Sequence, residues 1–146
     1  MYSYRDTIPA LAGAGRRAIA VDLPGHGLSD TPAELEWYSR AGMIATVGAL
    51  LDTLDVRAAT VVGVSMGGGI ATGLAIAHHP RVARVALVNP VGFAPVRFTT
   101  IGRMLTPLAA RQHAFHLGAR PLVSWFLHLA YADRSRVSER DVDEYW

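Results

Sequence analysis

Residues Thr60-Val-Val-Gly-Val64 run directly into Ser65-Met-Gly-Gly-Gly69 and then into Ile70-Ala-Thr-Gly-Leu-Ala-Ile-Ala77, with no loop residues between. The first run is β-branched and reads as a strand. The second is made of small and apolar residues, and it predicts a helix over Met66 to His79, stopped by Pro80. The chain must therefore change direction around Ser65 alone. A strand that turns at once into a helix commits the fold to βα units, in which neighbouring strands are parallel and the crossovers right-handed.

The flanking segments extend that pattern to an α/β class. Val82 to Val88 is a further strand, and Ala18-Ile-Ala-Val-Asp22 is a short apolar run of the kind a doubly covered parallel sheet uses. Residues 3 to 14 carry Ile8, Leu11 and Ala12 at helical spacing, with Pro9 in the first turn, where the missing amide costs nothing. Leu23 to Asp30 is dense in Pro, Gly, Ser and Asp and reads as a loop at the carboxyl end of the 18–22 strand. Ser39 is placed to cap a helix whose one face carries Met43, Ile44, Val47, Leu50, Leu51 and Leu54. The expected order is helix, strand, helix, strand, helix, strand. Beyond Asn89-Pro90, residues 100 to 131 are helical in character, punctuated by Pro107 and Pro121, and no further strand is expected before Trp146.

The totals narrow the function classes. The chain has 146 residues, 51% of them apolar, enough for one ordinary core. Fourteen basic and twelve acidic residues leave a net charge of +2, scattered along the chain, so no nucleic-acid partner is expected. The chain has no cysteine, which excludes disulfides and thiolate metal sites. The first residues lack the basic-then-apolar pattern of a secretory leader, and a cytoplasmic location is expected. Residues 58 to 77 are uncharged and long enough to cross a bilayer, but five glycines and Ser65 argue against a membrane span.

Gly63-Val-Ser65-Met-Gly67 has the G-x-S-x-G order of a nucleophile elbow, with strand before it and helix after it. Side chains two residues before and two after such a serine are expected to collide with neighbouring backbone, so Gly63 and Gly67 are the structural glycines of the turn. Gly68, Gly69 and Gly73 are expected to let the helix approach the sheet. Ser65 is the candidate nucleophile, and the amide of Met66, at the positive end of the helix dipole, is the candidate donor to an oxyanion. Two other readings stand beside this one. The glycines could form a plain tight turn with Ser65 capping the helix, or they could cradle a phosphate. The second lacks the G-x-x-x-x-G-K-[ST] order and a lysine.

These segments resemble the α/β-hydrolase superfamily, in its serine-nucleophile, cap-bearing branch. Ile19 to Asp30 resembles the D-x-P-G-x-G-x-S loop after the fourth core strand, Val61 to Gly68 the fifth strand and elbow, and Val82 to Pro90 the sixth strand. The resemblance implies a partial core over residues 1–92 and the start of a helical cap over 93–146. It further implies that a small-molecule carbonyl substrate, an ester, lactone, amide or carbon–carbon bond beside a carbonyl, is cleaved through an acyl-enzyme on Ser65. An aspartyl ester, as in haloalkane dehalogenases and epoxide hydrolases, is not implied. No cofactor and no metal are expected.

The family's H-G segment, its acid and its histidine find no match here, and Asn89 stands as an amide where some members place the acid. The chain is therefore expected to be nearly inactive alone, as a gene fragment, a misassigned start or a piece of a longer chain. In the family the third strand lies between the strands ending at Asp22 and Val64. Its absence predicts unpaired edges and self-association.

No histidine in the sequence is an evident base for Ser65. His26 lies in the Pro-Gly-His-Gly turn, and His78 and His79 sit at the far end of the helix. His113, His116 and His128 fall in the cap segment, where His113 and His116 share a helical face without a third metal ligand. Asp22 and Asp30 are expected to fix turn backbone. The charged run from Arg134 to Glu144 reads as a solvated helical face, and Trp125, Phe126 and Leu129 read as core. The competing function is a non-catalytic binding or assembly remnant of the same fold.

Overall fold

The computed structural model describes residues 2–77, 79–92 and 119–146, and the chain divides into two compact units, Met1–Pro95 and Val96–Trp146. The first unit contains α1 (Thr7–Gly13), α2 (Arg40–Thr53), β1 (Ala59–Val64), α3 (Met66–Ile76) and β2 (Val82–Val88). The two strands pair in parallel, with Val64 beside Val88 at their carboxyl ends. This is an α/β arrangement of parallel strands with flanking helices.

Helix α2 begins where capping chemistry requires. Ser39 has extended backbone, and its hydroxyl oxygen accepts from the Gly42 amide at 2.9 Å. Past its end at Thr53, the left-handed φ of 46° at Asp55 lets the Val56 amide reach back to the Leu51 carbonyl. Arg81, one residue before β2, binds the carboxylates of Asp52 and Asp55 and the carbonyl of Val56, so the end of α2 is fastened to the start of β2. Those bonds, Asp55's first, raise the guanidinium pKa above its ordinary value. Between the helices and the sheet, Met43, Ile70 and Leu74 form the buried cluster, with Leu23, Tyr38, Ile44, Val47, Val61 and Val82 packed against it.

The strand register contains one irregularity. Ala59 pairs with Val82 but Thr60 pairs with Arg84, which leaves Ala83 as a bulged residue. The bulge lets Val82 join Val61 in the cluster, and it sets Arg84, Ala86 and Val88 beside Thr60, Val62 and Val64 on the opposite face. All six of these residues are exposed, with Val62 at 48%, Val64 at 45% and Val88 at 48%. A parallel sheet is ordinarily covered on both faces; this one is covered on one, and there only in part, since Val85 and Leu87 beside Val61 and Gly63 are 38% and 37% exposed.

Three expectations in this unit are corrected. Residues 18–22 form no strand. Strand structure requires a ladder partner, and among the described residues only β1 and β2 pair. The apolar run instead lines an open groove, in which Ile19, Ala20 and Val21 share the lining with Leu50 and Leu54 at the end of α2. The helix expected over residues 3 to 14 is a 3₁₀ turn at Tyr2–Tyr4 followed by α1, in which Ile8 is half-buried while Leu11, 40% exposed, and Ala12 stay in solvent. Helix α3 also stops at Ile76, short of His79.

The second unit, as far as it is described, holds α4 (Ala119–Ala130), a 3₁₀ turn at Arg134–Arg136 and α5 (Glu139–Tyr145). Of the helical stretch expected over 100 to 131, residues 100–118 lie outside the described residues. Arg120 joins the two helices through Glu139 and Asp143, and Ser138 and Asp141 form a capping box at the start of α5. Trp125, Phe126 and Leu129 are more than half exposed, while Leu127 and Val142 are buried. Helix α4 has apolar residues on more than one side, and Leu127 is the one enclosed. Asp141 is likewise buried and not part of a solvated face. No helix among the described residues is long and apolar enough to cross a membrane.

The uncovered Val62, Val64, Ala86 and Val88 face leads us to propose that the chain self-associates. Sedimentation velocity should show a mass that rises with concentration, and Val62→Thr with Val88→Thr should shift it toward monomer. A monodisperse monomer across the concentration range would end this proposal.

Candidate active site

The change of direction read from the sequence occurs at a single residue. Ser65 has φ 51° and ψ −114°, outside both strand and helix, and α3 begins at Met66. Holding a non-glycine residue there costs roughly 1–3 kcal/mol, which the surroundings must over-determine. Two bonds, one to the adjacent strand and one to the segment that follows it, do so. The Ser65 amide donates to the Val88 carbonyl at 3.0 Å, and the Ser65 carbonyl accepts from the Val91 amide at 3.0 Å. The same carbonyl accepts from Gly68 at 3.0 Å and Gly69 at 3.3 Å, in the first turn of α3.

Gly63 shows why the turn is so tight. A Cβ built there would lie 2.5 Å from the Gly67 carbonyl carbon and 2.6 Å from the Gly68 Cα, closer than real Cβ contacts come, and it would also overlap the Gly67 carbonyl oxygen. The helix start thus presses directly on the end of β1. Gly67 behaves differently from expectation: a Cβ there meets nothing within 4 Å. The crowding is one-sided because residue 67 is already in the helix and projects away from the strand. Gly68 and Gly69 do admit neighbouring chain, Pro90 and Val91 respectively. Gly73 serves a different neighbour, since its missing Cβ is replaced by the Ile44 side chain of α2, not by the sheet.

At the surface of this turn the Ser65 residue is exposed and its hydroxyl makes no capping bond to α3. The capping alternative therefore has no bond to support it. The amides of Met66 and Gly67 donate to no acceptor among the described residues. An exposed hydroxyl stands next to two unused amides at the positive end of an eleven-residue helix. That arrangement can receive negative charge on an oxygen attached beside the serine.

The other sequence candidates lie elsewhere. His26 sits in its turn with Nδ1 3.0 Å from the Pro24 carbonyl oxygen. The Asp22 carboxylate accepts from the Leu28 amide, and its carbonyl accepts from the Ser29 hydroxyl at 2.6 Å; the Asp30 carbonyl accepts from Gly25, so both aspartates shape that turn. The His79 ring packs against Gly48, accepts from the Arg81 amide at Nδ1 and stands 4.0 Å from Asp52, at the amino end of β2. His128 in the second unit bonds the Ser124 carbonyl. His78, His113 and His116 lie outside the described residues. No histidine hydrogen-bonds the Ser65 hydroxyl among the described residues. Two open grooves among the described residues, one of about 400 Å³ along Ala75, His79 and Val82–Val85 and the other beside α2, do not include Ser65.

Sequence reasoning did not foresee the tie between Ser65 and the segment after β2. The Asn89-Pro-Val-Gly92 run contains turn-forming residues, but its contact with the elbow depends on the Val64–Val88 register. Asn89 adopts a left-handed φ of 43° there.

Residues 1–138 match the alpha/beta hydrolase fold family. Among curated relatives, the chain is 41% identical over 90 residues to a 2-hydroxymuconate semialdehyde hydrolase from Pseudomonas sp. (strain CF600), covering 62% of this chain and 31% of that protein. It is 36% identical over 94 residues to haloalkane dehalogenase 1 of Mycobacterium tuberculosis, covering 64% and 31%. Among solved structures, Cfl2 from Burkholderia cenocepacia superposes with a TM-score of 0.82 at 26% identity, covering 99% of this chain and 52% of that one. A probable hydrolytic enzyme from Pseudomonas aeruginosa PAO1 superposes with a TM-score of 0.80 at 31% identity, covering 98% and 46%. The chain thus spans about a third of the length of these curated relatives and about half of these solved chains.

The crowding at Gly63 and the space at Gly67 predict opposite outcomes for the same substitution. Gly63→Ala should destabilise the chain by about 1–3 kcal/mol or more, the cost of overpacking. Gly67→Ala should be neutral or gain up to ~1 kcal/mol from helix propensity. Urea unfolding midpoints of the two variants check this.

Proposed function

The chain belongs to the alpha/beta hydrolase fold family, and from that premise we propose that Ser65 is the nucleophile of a hydrolase that cleaves an ester, lactone, amide or carbon–carbon bond beside a carbonyl. The observation that carries this reading is the exposed, uncapped hydroxyl of Ser65 on a strained turn beside the unused Met66 amide. In the proposed reaction Oγ attacks the carbonyl carbon, and its proton passes to a base. The carbonyl oxygen becomes an oxyanion that accepts from the Met66 amide, and its collapse expels the leaving group to give an acyl-serine, which water then hydrolyses. Serine at the elbow favours an acyl-enzyme over an aspartyl ester. Residues 93–146 are proposed as the start of a cap.

The base and its acid are the unassigned parts. A serine hydroxyl without a hydrogen-bonded base is a weak nucleophile, so turnover by the chain alone is expected to lie on the order of 10⁴ to 10⁶ below that of a complete triad. That observation also favours a second reading, in which the chain keeps the fold for binding or assembly, with the uncovered face of β1 and β2 as its contact surface.

A chimera separates the two. The matching 90 residues of the 2-hydroxymuconate semialdehyde hydrolase relative would be replaced by those of this chain, leaving the relative's remaining chain in place. Hydrolysis of an aryl ester is expected, with Ser65→Ala lowering kcat by about 10⁴-fold or more. A folded chimera that binds the ester but turns it over no faster than its Ser65→Ala form would favour the binding reading.

A further inference from the structure

Of the three non-glycine residues with positive φ among those described, two stand side by side. Ser65 follows Val64 and Asn89 follows Val88, and Val64 and Val88 are register partners at the carboxyl ends of β1 and β2. The bonds from Ser65 to the Val88 carbonyl and from Val91 to Ser65 bracket Asn89 and hold it next to the turn. Pro90, against Gly68, pins the chain just beyond it. Asn89 is exposed, and its carboxamide has no hydrogen-bond partner among the described residues.

We infer that the Asn89 carboxamide is a substrate contact of the Ser65 site, donating a hydrogen bond from Nδ2 to a second oxygen on the acyl part of the substrate. This rests on the reading of Ser65 as nucleophile. Neighbouring strands lie about 4.8 Å apart, and Ser65 and Asn89 follow register partners, so an acyl arm joined to Ser65 comes within reach of the Asn89 carboxamide roughly two or three atoms along. The substrate class that fits is therefore an acyl compound with a keto, ether or carboxylate oxygen at that distance from the scissile carbonyl, in preference to a plain alkyl ester. A left-handed φ by itself would be met more cheaply by glycine, and glycine separates a purely conformational role from a contact.

The experiment uses the full ¹⁵N-labelled chain carrying Ser65→Ala, so that binding is read without turnover, titrated with methyl levulinate, a small ester with a second carbonyl. The Asn89 side-chain NH₂ cross-peaks should shift saturably, and Asn89→Gly in the same background, which keeps the turn, should raise Kd about tenfold, the worth of one hydrogen bond. Unmoved Asn89 cross-peaks, an unchanged Kd in Asn89→Gly, or no binding at all would overturn the inference. Ser65-dependent turnover in the chimera with Asn89 silent would keep the hydrolase reading and remove this contact. Saturable binding through Asn89 with no Ser65-dependent turnover would keep the contact and remove the nucleophile.

Discussion

The contact between the end of β1 and the first turn of α3, backbone against backbone at Gly63, is the constraint from which the rest of the first unit follows. With no room for a Cβ at position 63, strand and helix meet without a loop, and the whole change of direction falls on Ser65. Its φ of 51° is what that geometry demands. The strain is then locked by Val88 and Val91, so the elbow is a property of two strands together and not of the G-x-S-x-G segment alone. The parallel pairing of β1 and β2 sets the register that brings those partners to Ser65.

The packing on the two sides of the sheet explains why one part of this unit is well fixed and another open. On the helical side, Val61 and Val82 reach Met43, Ile70 and Leu74, Ile44 fills the space over Gly73, and Arg81 ties the end of α2 to the start of β2. On the other side, every residue of the register rows from Thr60 and Arg84 to Val64 and Val88 meets solvent. Burial of apolar area supplies most of the favourable free energy of folding, so a sheet covered on one face leaves much of that contribution unused. The same dependence on partners governs residues 18–22, whose composition suits a strand but which have no ladder partner among the described residues.

Features set by a residue and its near neighbours in sequence were legible. Ser39 as a cap, Val82–Val88 as a strand, Asp22 as a turn-former and the break at Ser65 all depend on local chemistry. Features set by a partner distant in sequence were not. A strand at 18–22 needs a ladder, and composition cannot supply one. The bulge at Ala83 depends on register, which alternation alone could not assign in a run as uniformly apolar as Val85 to Val88. Gly63 and Gly67 are equivalent in the motif, yet only one faces backbone, because direction from the turn is a three-dimensional property. Trp125, Phe126, Leu127 and Leu129 are all apolar, and the sequence did not say that Leu127 would be the one buried. The groups that would activate Ser65 were not found by sequence reasoning, and among the described residues the structure hydrogen-bonds none to its hydroxyl.

The strain at Ser65 is not by itself a sign of chemistry, because the Gly63 contact would impose it on any residue at position 65. What bears on function is which residue accepts the strain. Glycine would adopt a positive φ at little cost, and a serine kept for capping would spend its hydroxyl on an amide of α3, as Ser39 and Ser138 do at their own helices. Ser65 does neither. It carries the cost of a disfavoured backbone and leaves its hydroxyl exposed and without a partner among the described residues, next to helix amides that also have none there. A hydroxyl and two amides without a partner among the described residues, at a turn held by Val88 and Val91, are free to meet a molecule outside the chain, as the proposed nucleophile requires.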